Sequence, residues 1–329
     1  MTSNNSVQKK HLAIVVPCYN ESEMLPLSLP RLRALCTQVE QQFPVVAQIL
    51  LVDDGSADQT WEIIEQAVQS DPHLSALKLA HNVGHQHALW AGLEWAVRHA
   101  DVSVTIDADL QDDEKVILTM LEHYLNGYDI VYGVRQERGG DSFFKRSTAQ
   151  GYYKLMRAYG IDLLYNHADF RLLSNKALQA LMAYTERNLF LRGIVRQIGL
   201  PSTVVKYNQN PREAGTTKYP LHKMLALAID GITSFSVRPL RLMILAGGLC
   251  FVIAVAIILY ALVGHFQGHT ISGWTSLITS LWFLGGLVLL GLGIIGEYVG
   301  KIYLEVKHRP HYFIEKEIGN GSNRQATLF

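Results

Sequence analysis

Short runs of β-branched residues and leucine alternate with stretches of helical periodicity along the first third of the chain. The runs predict strands at 12–16, 49–53, 74–79 and 102–107, and the periodic stretches predict helices at 23–42, 58–70 and 86–99. Strands that alternate with helices in this way form βαβ units, which build a mostly parallel sheet. The pattern therefore predicts an α/β fold that binds its ligands beyond the carboxyl ends of the strands.

The pattern changes in the last third of the chain, where charged residues disappear. No Lys, Arg, Asp or Glu occurs between positions 242 and 296, although 18% of the whole chain is charged. Two apolar runs, 242–264 and 271–296, are each long enough to cross a hydrocarbon core of about 30 Å as a helix. The alternative is a buried hairpin in a large soluble core. The lengths of the runs favour two transmembrane helices.

Basic residues flank this apolar region on both sides. Arg238 and Arg241 precede the first run, and Lys301, Lys307 and Arg309 follow the second, whereas the loop 265–270 contains no Lys or Arg. Cytoplasmic segments beside membrane spans are enriched in these two residue types. The chain is therefore predicted to be a multi-pass membrane protein with both termini in the cytosol.

Four segments follow from these patterns. We expect a cytosolic α/β domain at 1–219, a juxtamembrane amphipathic helix at 220–239, two spans with a short external loop at 240–296, and a cytosolic C-terminal segment at 297–329. An ordinary half-buried helix is the alternative for 220–239. The polar N-terminus lacks the apolar core of a signal peptide. The three cysteines lack the paired spacing of a disulfide framework or a zinc site.

The net charge of zero conceals a segregation of acidic and basic residues. Residues 1–134 contain 18 acidic and 7 basic side chains, and residues 135–329 contain 11 acidic and 22 basic ones. A neutral chain with an acidic first part is not typical of a nucleic-acid-binding protein, so no nucleic-acid partner is expected.

Polar clusters follow three of the four predicted strands. They lie at 17–21, 53–58 and 107–111. In the last cluster Asp107 and Asp109 are separated by one residue, so both can face the same opening, with Gln111 as a third oxygen donor. Such a set suits Mg²⁺ or Mn²⁺ shared with phosphate oxygens. In the second cluster the alternative is helix capping by Ser56 or Asp58.

These clusters carry a family resemblance. The ordered motifs are Pro17-x-Tyr-Asn-Glu21, Asp53-Asp-Gly-Ser-x-Asp-x-Thr60, Asn82-x-Gly84, Asp107-Ala-Asp-Leu-Gln-Asp112 and Asp169-Phe-Arg-Leu172. They resemble those of family 2 glycosyltransferases, which have the GT-A fold. With the two C-terminal spans and the segment 296–310, the chain more closely resembles bactoprenol glucosyltransferases, relatives of dolichol-phosphate mannosyltransferase.

The resemblance implies a role for each matching position. Pro17, Tyr19, Glu21, Asp53, Asp54 and Asp107 would bind a nucleotide sugar, and Asp107, Asp109 and Gln111 would hold Mg²⁺ or Mn²⁺ on its diphosphate. The acceptor phosphate would lie near Arg135, Lys145, Arg146, Arg212 and Lys218; solvated surface charge is the alternative for each of these. Asp109 and Asp169 are the candidate catalytic residues, and Asp169 would act as a base, orient sugar hydroxyls or pair with Arg171.

One departure from the family pattern concerns two histidines. His81 and His85 stand where the family usually has arginine and lysine. Since histidine titrates near pH 6.5, contacts with a diphosphate at these positions would depend on pH.

The resemblance implies an inverting glycosyltransferase of the bacterial cytoplasmic (inner) membrane. It would move one sugar from UDP-glucose or another UDP-sugar to undecaprenyl (polyprenyl) phosphate at the cytoplasmic face, as a homo-oligomer such as a tetramer. Two alternatives are a processive polysaccharide synthase, which the chain's lack of a Gln-x-x-Arg-Trp motif disfavours, and a non-catalytic membrane scaffold with a GT-A domain.

Overall fold

The computed structural model describes residues 9–136, 167–187, 189–209, 232–233, 236–266 and 273–319. Helices and strands are numbered in chain order within these residues. The strands are β1 (Lys10–Cys18), β2 (Val45–Asp53), β3 (Leu74–Leu79), β4 (Val102–Thr105), β5 (Ile130–Arg135), β6 (His167–Ser174), β7 (Ser202–Tyr207) and β8 (Ile314–Gly319). The helices are α1 (Leu25–Gln42), α2 (Thr60–Ser70), α3 (His85–His99), α4 (Val116–Leu125), α5 (Asn175–Met182), α6 (Leu191–Gln197), α7 (Arg238–Phe266) and α8 (Trp274–Val306).

The eight strands form one sheet in the order β7-β5-β6-β4-β1-β2-β3-β8. The pairs β1/β2, β1/β4, β2/β3 and β5/β7 are parallel, whereas β6 is antiparallel to both β4 and β5, and β8 is antiparallel to β3. The four predicted strands and three predicted helices are confirmed, with their ends moved by a few residues. The predicted α/β class with a mostly parallel sheet is therefore correct.

The central strands are buried along almost their whole length. Strand β1 is buried from Leu12 onward, and β3 and β4 have no exposed residue. Helices packed against a parallel sheet remove both of its faces from water, so its strands are apolar throughout instead of alternating with polar residues. This is why unbroken apolar runs marked the strands in the sequence.

The chain divides into two compact units. The first contains the sheet and includes the C-terminal segment from Arg309 onward, and the second contains α7 and α8. From the sequence alone 297–329 is a separate segment, and no strand is predicted in it. The structure places its strand β8 at one edge of the sheet, with Ala76 opposite Ile318 and Leu77 opposite Glu317.

The second unit is a pair of long apolar helices. Within the residues that the structure describes, the stretch Phe283–Val306 is long and apolar enough to cross a membrane, with a mean hydropathy of 1.8 over its best window and no burial inside the chain. Helix α8 continues to Val306, past the predicted end of the second span at Gly296. The two helices contact each other, and a Cβ added at Gly291 would lie 2.9 Å from Met243 Cε. Whether both helices span a membrane stays a prediction.

Side chains of the C-terminal segment hold β8 against the rest of the first unit. The indole N–H of Trp95, in α3, donates to Glu317 Oε1 at 2.8 Å, and Tyr312 donates to Glu94 Oε2 at 2.7 Å. Trp95 is 3% exposed, so water does not readily replace its partner. The segment is thus attached to α3 as well as to β3.

Replacing Glu317 with alanine is expected to lower the free energy of unfolding by about 1–3 kcal/mol, because the buried indole N–H of Trp95 loses its acceptor. Glu315→Ala is the matched control, since Glu315 pairs only at the surface with Lys78, at 3.0 Å, and such pairs contribute about 1 kcal/mol or less. Thermal unfolding of the purified variants in detergent measures both. Equal midpoints for the two variants would contradict the proposed importance of the Trp95 contact.

Candidate active site

The carboxyl ends of three parallel strands meet at one edge of the sheet. Strand β1 lies between β2 and β4, with Cys18 opposite Asp53 and Val15 opposite Thr105. The Asp54 N–H continues the pairing by donating to Cys18 O at 2.9 Å. The polar clusters that follow these strands are therefore neighbours in space, as the topology of a parallel sheet requires.

The first two clusters are tied together by side chains that accept backbone hydrogen bonds. The Asn20 N–H donates to Ser56 Oγ at 3.0 Å, and the Ser22 N–H donates to Asp58 Oδ2 at 3.2 Å. Asp58 also serves the start of α2, since its Oδ1 accepts from the N–H of Thr60, the first residue of the helix, at 3.1 Å. Of the two predicted caps Asp58 is thus confirmed, whereas Ser56 accepts from Asn20 in the other loop.

Asp54 fixes a third loop beside the first two. It is 3% exposed, and its carboxylate accepts from Val83 N at 2.7 Å and Gly84 N at 3.0 Å. Burial raises the pKa of Asp54, and these two hydrogen bonds offset part of the rise. Its contacts make Asp54 the anchor of the loop that leads from β3 into α3.

Asp53, next to it, retains an unused acceptor. Its side chain is fully buried, and Oδ1 accepts weakly from Ser56 N at 3.4 Å. Among the described residues Oδ2 has no hydrogen-bond partner. Burial raises the pKa of this carboxyl. A buried acceptor without a partner is costly unless a ligand's donor group reaches it.

The remaining residues predicted for nucleotide binding lie at the end of β1. Pro17 pairs with Val52 inside the sheet, and the Glu21 N–H donates to Thr60 Oγ1 at 2.8 Å. The ring of Tyr19 is 48% exposed. An exposed aromatic face beside buried carboxylates offers a stacking surface to a planar ring such as a nucleobase.

The acidic pair after β4 lies at the same edge. The amide N–H of Gln111 donates to Asp109 Oδ2 at 2.8 Å, and its amide oxygen accepts from Gln209 at 2.8 Å. The side chain of Asp107 is 40% exposed. Loss of hydration raises the pKa of Asp107 to about 6 against the lowering effect of His85, and neighbouring carboxylates, Asp109 among them, contribute.

The crowded carboxylates of Asp107 and Asp109 suit a divalent cation. A cation would relieve their mutual repulsion, and Mg²⁺ binds through one or two carboxylates plus phosphate and water. Within the described residues no cluster of three His, Cys, Asp or Glu side chains forms a ready metal site. The oxygen of Gln111 is directed to Gln209. The place of Gln111 among the ligands therefore stays a prediction.

His85, the first residue of α3, lies between two carboxylates. Its Nε2 is 3.7 Å from Asp107 Oδ1 and 3.6 Å from Asp169 Oδ2. Burial lowers the pKa of His85, but the two carboxylates outweigh it and the net shift is upward. The surroundings of His85, which stands where the family usually has lysine, thus favour its protonated form beside Asp107.

Asp169 enters this edge from β6. Because β6 is antiparallel to β4, with Arg171 opposite Thr105, its first residues lie beyond the end of β4. Asp169 is 7% exposed and forms an ion pair with Arg171 and another with Arg192, the latter at 3.0 Å. Burial alone would raise the pKa of Asp169, but Arg192, His85 and Arg171 hold it well below its ordinary value.

Of the five basic residues predicted for the acceptor phosphate, one lies within the described residues. Arg135, at the end of β5, donates to both oxygens of Asp112, at 2.9 and 3.1 Å, and to Tyr207 at 3.4 Å. The other four, Lys145, Arg146, Arg212 and Lys218, lie outside the described residues. Their assignment to the acceptor stays a prediction.

Two residues that the sequence analysis missed contact Asp169. Gln86 Nε2 donates to Asp169 Oδ2 at 3.3 Å, and Arg192 donates from both Nε and Nη2. A usable signal was Arg192 itself, a charged residue inside the apolar stretch 189–195. Gln86 directly follows His85, one of the two histidines at which contacts with a diphosphate are predicted.

Comparison with known proteins identifies the family of the chain. The family described as "Glycosyl transferase family 2" matches residues 13–182. "Uncharacterized glycosyltransferase YkoT" of Bacillus subtilis (strain 168) is 49% identical over 94% of this chain and 92% of its own length. "Bactoprenol glucosyl transferase" of Shigella phage SfV is 37% identical over 93% of this chain and 98% of its own length. "Prophage bactoprenol glucosyl transferase homolog" of Escherichia coli (strain K12) is 36% identical over 93% of this chain and 98% of its own length. The chain belongs to glycosyl transferase family 2 and is a glycosyltransferase.

Proposed function

We propose that this protein transfers a single hexose from a nucleotide sugar, UDP-glucose or another UDP-sugar, to undecaprenyl (polyprenyl) phosphate. One observation carries the proposal. Asp107 and Asp109 lie beside the loops of Asp53 and Asp54 in a chain that is 37% identical to a protein named as a bactoprenol glucosyl transferase. The acidic clusters suit the hydrogen-bond donors of a nucleoside and a divalent cation on its diphosphate, and the named relative supports the lipid acceptor.

The reaction that fits is a direct displacement. An oxygen of the acceptor phosphate attacks the anomeric carbon, and the bond from that carbon to the diphosphate breaks. The nucleoside diphosphate leaves with the electron pair, and the configuration inverts to give a β-linked lipid-phosphate sugar from an α-linked donor. A phosphate monoester with a second pKa near 6 is largely a dianion at pH 7. The nucleophile therefore needs no proton removed.

The chain's own residues then position the donor and balance its charge. Asp53 offers an acceptor and Tyr19 a stacking surface to the base, while Asp54 holds the neighbouring loop of Val83 and Gly84 in place. Asp107 and Asp109 would hold Mg²⁺ or Mn²⁺, which as a Lewis acid neutralises the leaving diphosphate. Positioning and fixed charge of this kind supply most of the acceleration in transfers that require little proton movement.

The surroundings of Asp169 argue against its use as a base. A carboxylate between two guanidinium groups is a weak proton acceptor at neutral pH, since protonation would leave both groups without their counter-charge. A fixed anion of this kind is better suited to accept hydrogen bonds from sugar hydroxyls. Asp169 does pair with Arg171. Of its two possible roles toward the substrate, orienting the sugar therefore has more support than acting as a base.

A placement at the bacterial cytoplasmic membrane completes the proposal. Helices α7 and α8 contain 29 and 33 residues, lengths of about 44 and 50 Å at the usual rise per residue. They expose large apolar side chains such as Ile244 at 74% and Leu289 at 70%. We infer that both helices span the membrane, with the glycosyltransferase domain and both termini in the cytosol. Most of the preceding segment 220–239 lies outside the described residues, and its place on the membrane surface stays a prediction.

A groove between the two helices suits the acceptor's tail. It measures about 480 Å³ and is lined by Leu, Met, Val, Ile, Ala and Gly side chains together with Pro239. Pro239 and Leu242 belong to the first turns of α7, next to the end at which Arg238 and Arg241 are expected to meet the cytoplasmic surface. Isoprene units in this groove would keep the phosphate at the cytoplasmic face.

Radiolabelled UDP-glucose and undecaprenyl phosphate, incubated with the purified protein and Mg²⁺ or Mn²⁺, are expected to give labelled product in the organic phase. EDTA is expected to stop the transfer, and an excess of either cation to restore it, because the diphosphate leaves poorly without charge neutralisation. A panel of nucleotide sugars identifies the donor. Transfer that continues undiminished in EDTA would contradict the metal dependence.

The form of the product separates the alternatives. A lipid-linked monosaccharide supports the proposal, a water-soluble polymer indicates a processive synthase, and no product with any donor indicates a non-catalytic scaffold. Crosslinking in detergent tests the proposed homo-oligomer, which would give a ladder ending at a defined size such as a tetramer.

A further inference from the structure

The carboxylate of Asp169 is held from three different elements. Arg192, in α6, donates from Nη2 to Oδ2 at 3.0 Å and from Nε to Oδ1 at 3.3 Å. Arg171, in the same strand as Asp169, donates to Oδ1, and Gln86, in α3, donates to Oδ2 at 3.3 Å. Each oxygen therefore accepts one close hydrogen bond and one long bond of 3.3 Å, and a sugar hydroxyl can replace the long one.

The same side chains also hold the start of α6. Gln86 accepts from Leu191 N at 3.1 Å, and Arg171 donates to Leu191 O at 3.1 Å. Gln86 and Arg171 thus each contact both Asp169 and the backbone next to Arg192. We call Gln86, Asp169, Arg171, Leu191 and Arg192 the Asp169 network. It is a closed ring of contacts, so its members restrict one another's positions.

Exposure separates the two arginines of the Asp169 network. The side chain of Arg171 is 2% exposed and that of Arg192 is 38% exposed. Arg171 is a buried counter-charge whose loss would destabilise the fold. Arg192 lies at the surface of the site, where its removal leaves room for water and leaves Arg171 in place. Arg192 can therefore be replaced without leaving Asp169 as an unpaired buried charge.

The Asp169 network also adjoins the place of the donor diphosphate. Asp169 Oδ2 is 3.6 Å from His85 Nε2, and the same nitrogen is 3.7 Å from Asp107 Oδ1. A sugar attached to a diphosphate beside Asp107 would therefore lie next to Asp169. The direction in which this carboxylate points then decides how a sugar hydroxyl is held.

We propose that Arg192 is a positioning residue for sugar transfer, which fixes both oxygens of Asp169 so that they accept hydrogen bonds from the hydroxyls of the donor's hexose. The inference rests on the proposed function. Guanidinium has a planar fork that matches a carboxylate, and lysine supplies the charge without the fork. Orientation of the sugar, and not affinity for nucleotide or lipid, is the property that Arg192 controls.

Arg192→Gln is expected to lower kcat by about 10- to 100-fold, because small misplacements of a reacting group cost about that much. The KM for undecaprenyl phosphate and the affinity for UDP, measured by calorimetry, are expected to stay within about threefold. Arg192→Lys is expected to recover part of kcat, because it restores the charge. Arg196→Gln, also in α6, is the matched control and is expected to retain wild-type kcat.

Three results would overturn the inference. The first is a kcat of Arg192→Gln close to the wild-type value. The second is an unchanged kcat with a raised KM for undecaprenyl phosphate, which would make Arg192 part of the acceptor site. The third is loss of UDP binding in both Arg192 variants, which would indicate a general loss of structure.

A measurement without catalysis keeps the inference separate from the proposed function. If the wild-type protein binds UDP but transfers no sugar to lipid, the proposed function fails. Hydrogen–deuterium exchange then still tests Arg192. Faster exchange confined to 167–171 and 191–197 in Arg192→Gln supports the positioning role, and unchanged exchange there overturns it.

Discussion

Asp109→Ala is expected to reduce transfer of sugar to lipid by about a thousandfold or more, equivalent to about 4 kcal/mol of transition-state stabilisation. Asp109 shares the end of β4 with Asp107, and loss of either carboxylate leaves one protein carboxylate for the cation. The diphosphate would then leave without adequate charge neutralisation. Single-turnover transfer from UDP-glucose at saturating Mg²⁺ or Mn²⁺ measures the loss.

Asp113→Ala is the matched control for this variant. Asp113 lies four residues further on, and its side chain accepts from Lys115 N at 3.0 Å within its own turn. The control should transfer sugar at close to the wild-type rate. Full activity in purified Asp109→Ala would refute the assignment of Asp109 to the metal.

Gly55→Ala is expected to lower the free energy of unfolding by about 2–5 kcal/mol and to weaken UDP binding at least about tenfold. Gly55 has φ +62°, and a Cβ there would lie 2.6 Å from both Asn82 N and His81 C. These are backbone atoms of the loop that Asp54 anchors through Val83 and Gly84. The added methyl group would therefore displace the loop.

Gly127→Ala separates the two causes of this loss. Gly127 also has a positive φ, +97°, but a Cβ there would meet nothing within 4 Å. Its replacement carries the backbone strain alone, about 1–2 kcal/mol, and is expected to leave UDP binding unchanged. Thermal unfolding and calorimetry with UDP measure both variants. If Gly55→Ala is no more harmful than Gly127→Ala, the loop of His81 and Asn82 is not packed as described.

Much of the sheet could be predicted because its signal is local. A strand buried on both faces is apolar along its length, so β1 to β4 were visible as separate runs. Strand β8 gave no such signal. It contains Glu315, Lys316 and Glu317, and it became a strand because the edge of β3 offers it unpaired backbone groups.

The candidate site was predictable in its members but not in its contacts. The acidic clusters followed from their positions after strands, and the resemblance to family 2 supplied their roles. The pairing of Asp169 with Arg171 was among the predicted roles. Its contacts with Gln86 and Arg192 did not follow, because these residues lie 83 and 23 residues away along the chain. Nothing in the local pattern around any of the three residues indicates the other two.

The sequence by itself determined the parallel α/β sheet, the edge at which its acidic clusters meet, the family and the two long apolar segments. The sheet, its edge and the apolar segments depend on periodicity, burial or spacing within one stretch of chain, and the family rests on the resemblance of the ordered motifs. Only the tertiary structure decided that Asp169 is an ion-paired anion, that Asp112 holds Arg135 and that the C-terminal segment joins the sheet. The physical reason is that ion pairs and strand pairing act over a few ångströms. Their partners are therefore set by how distant segments pack together.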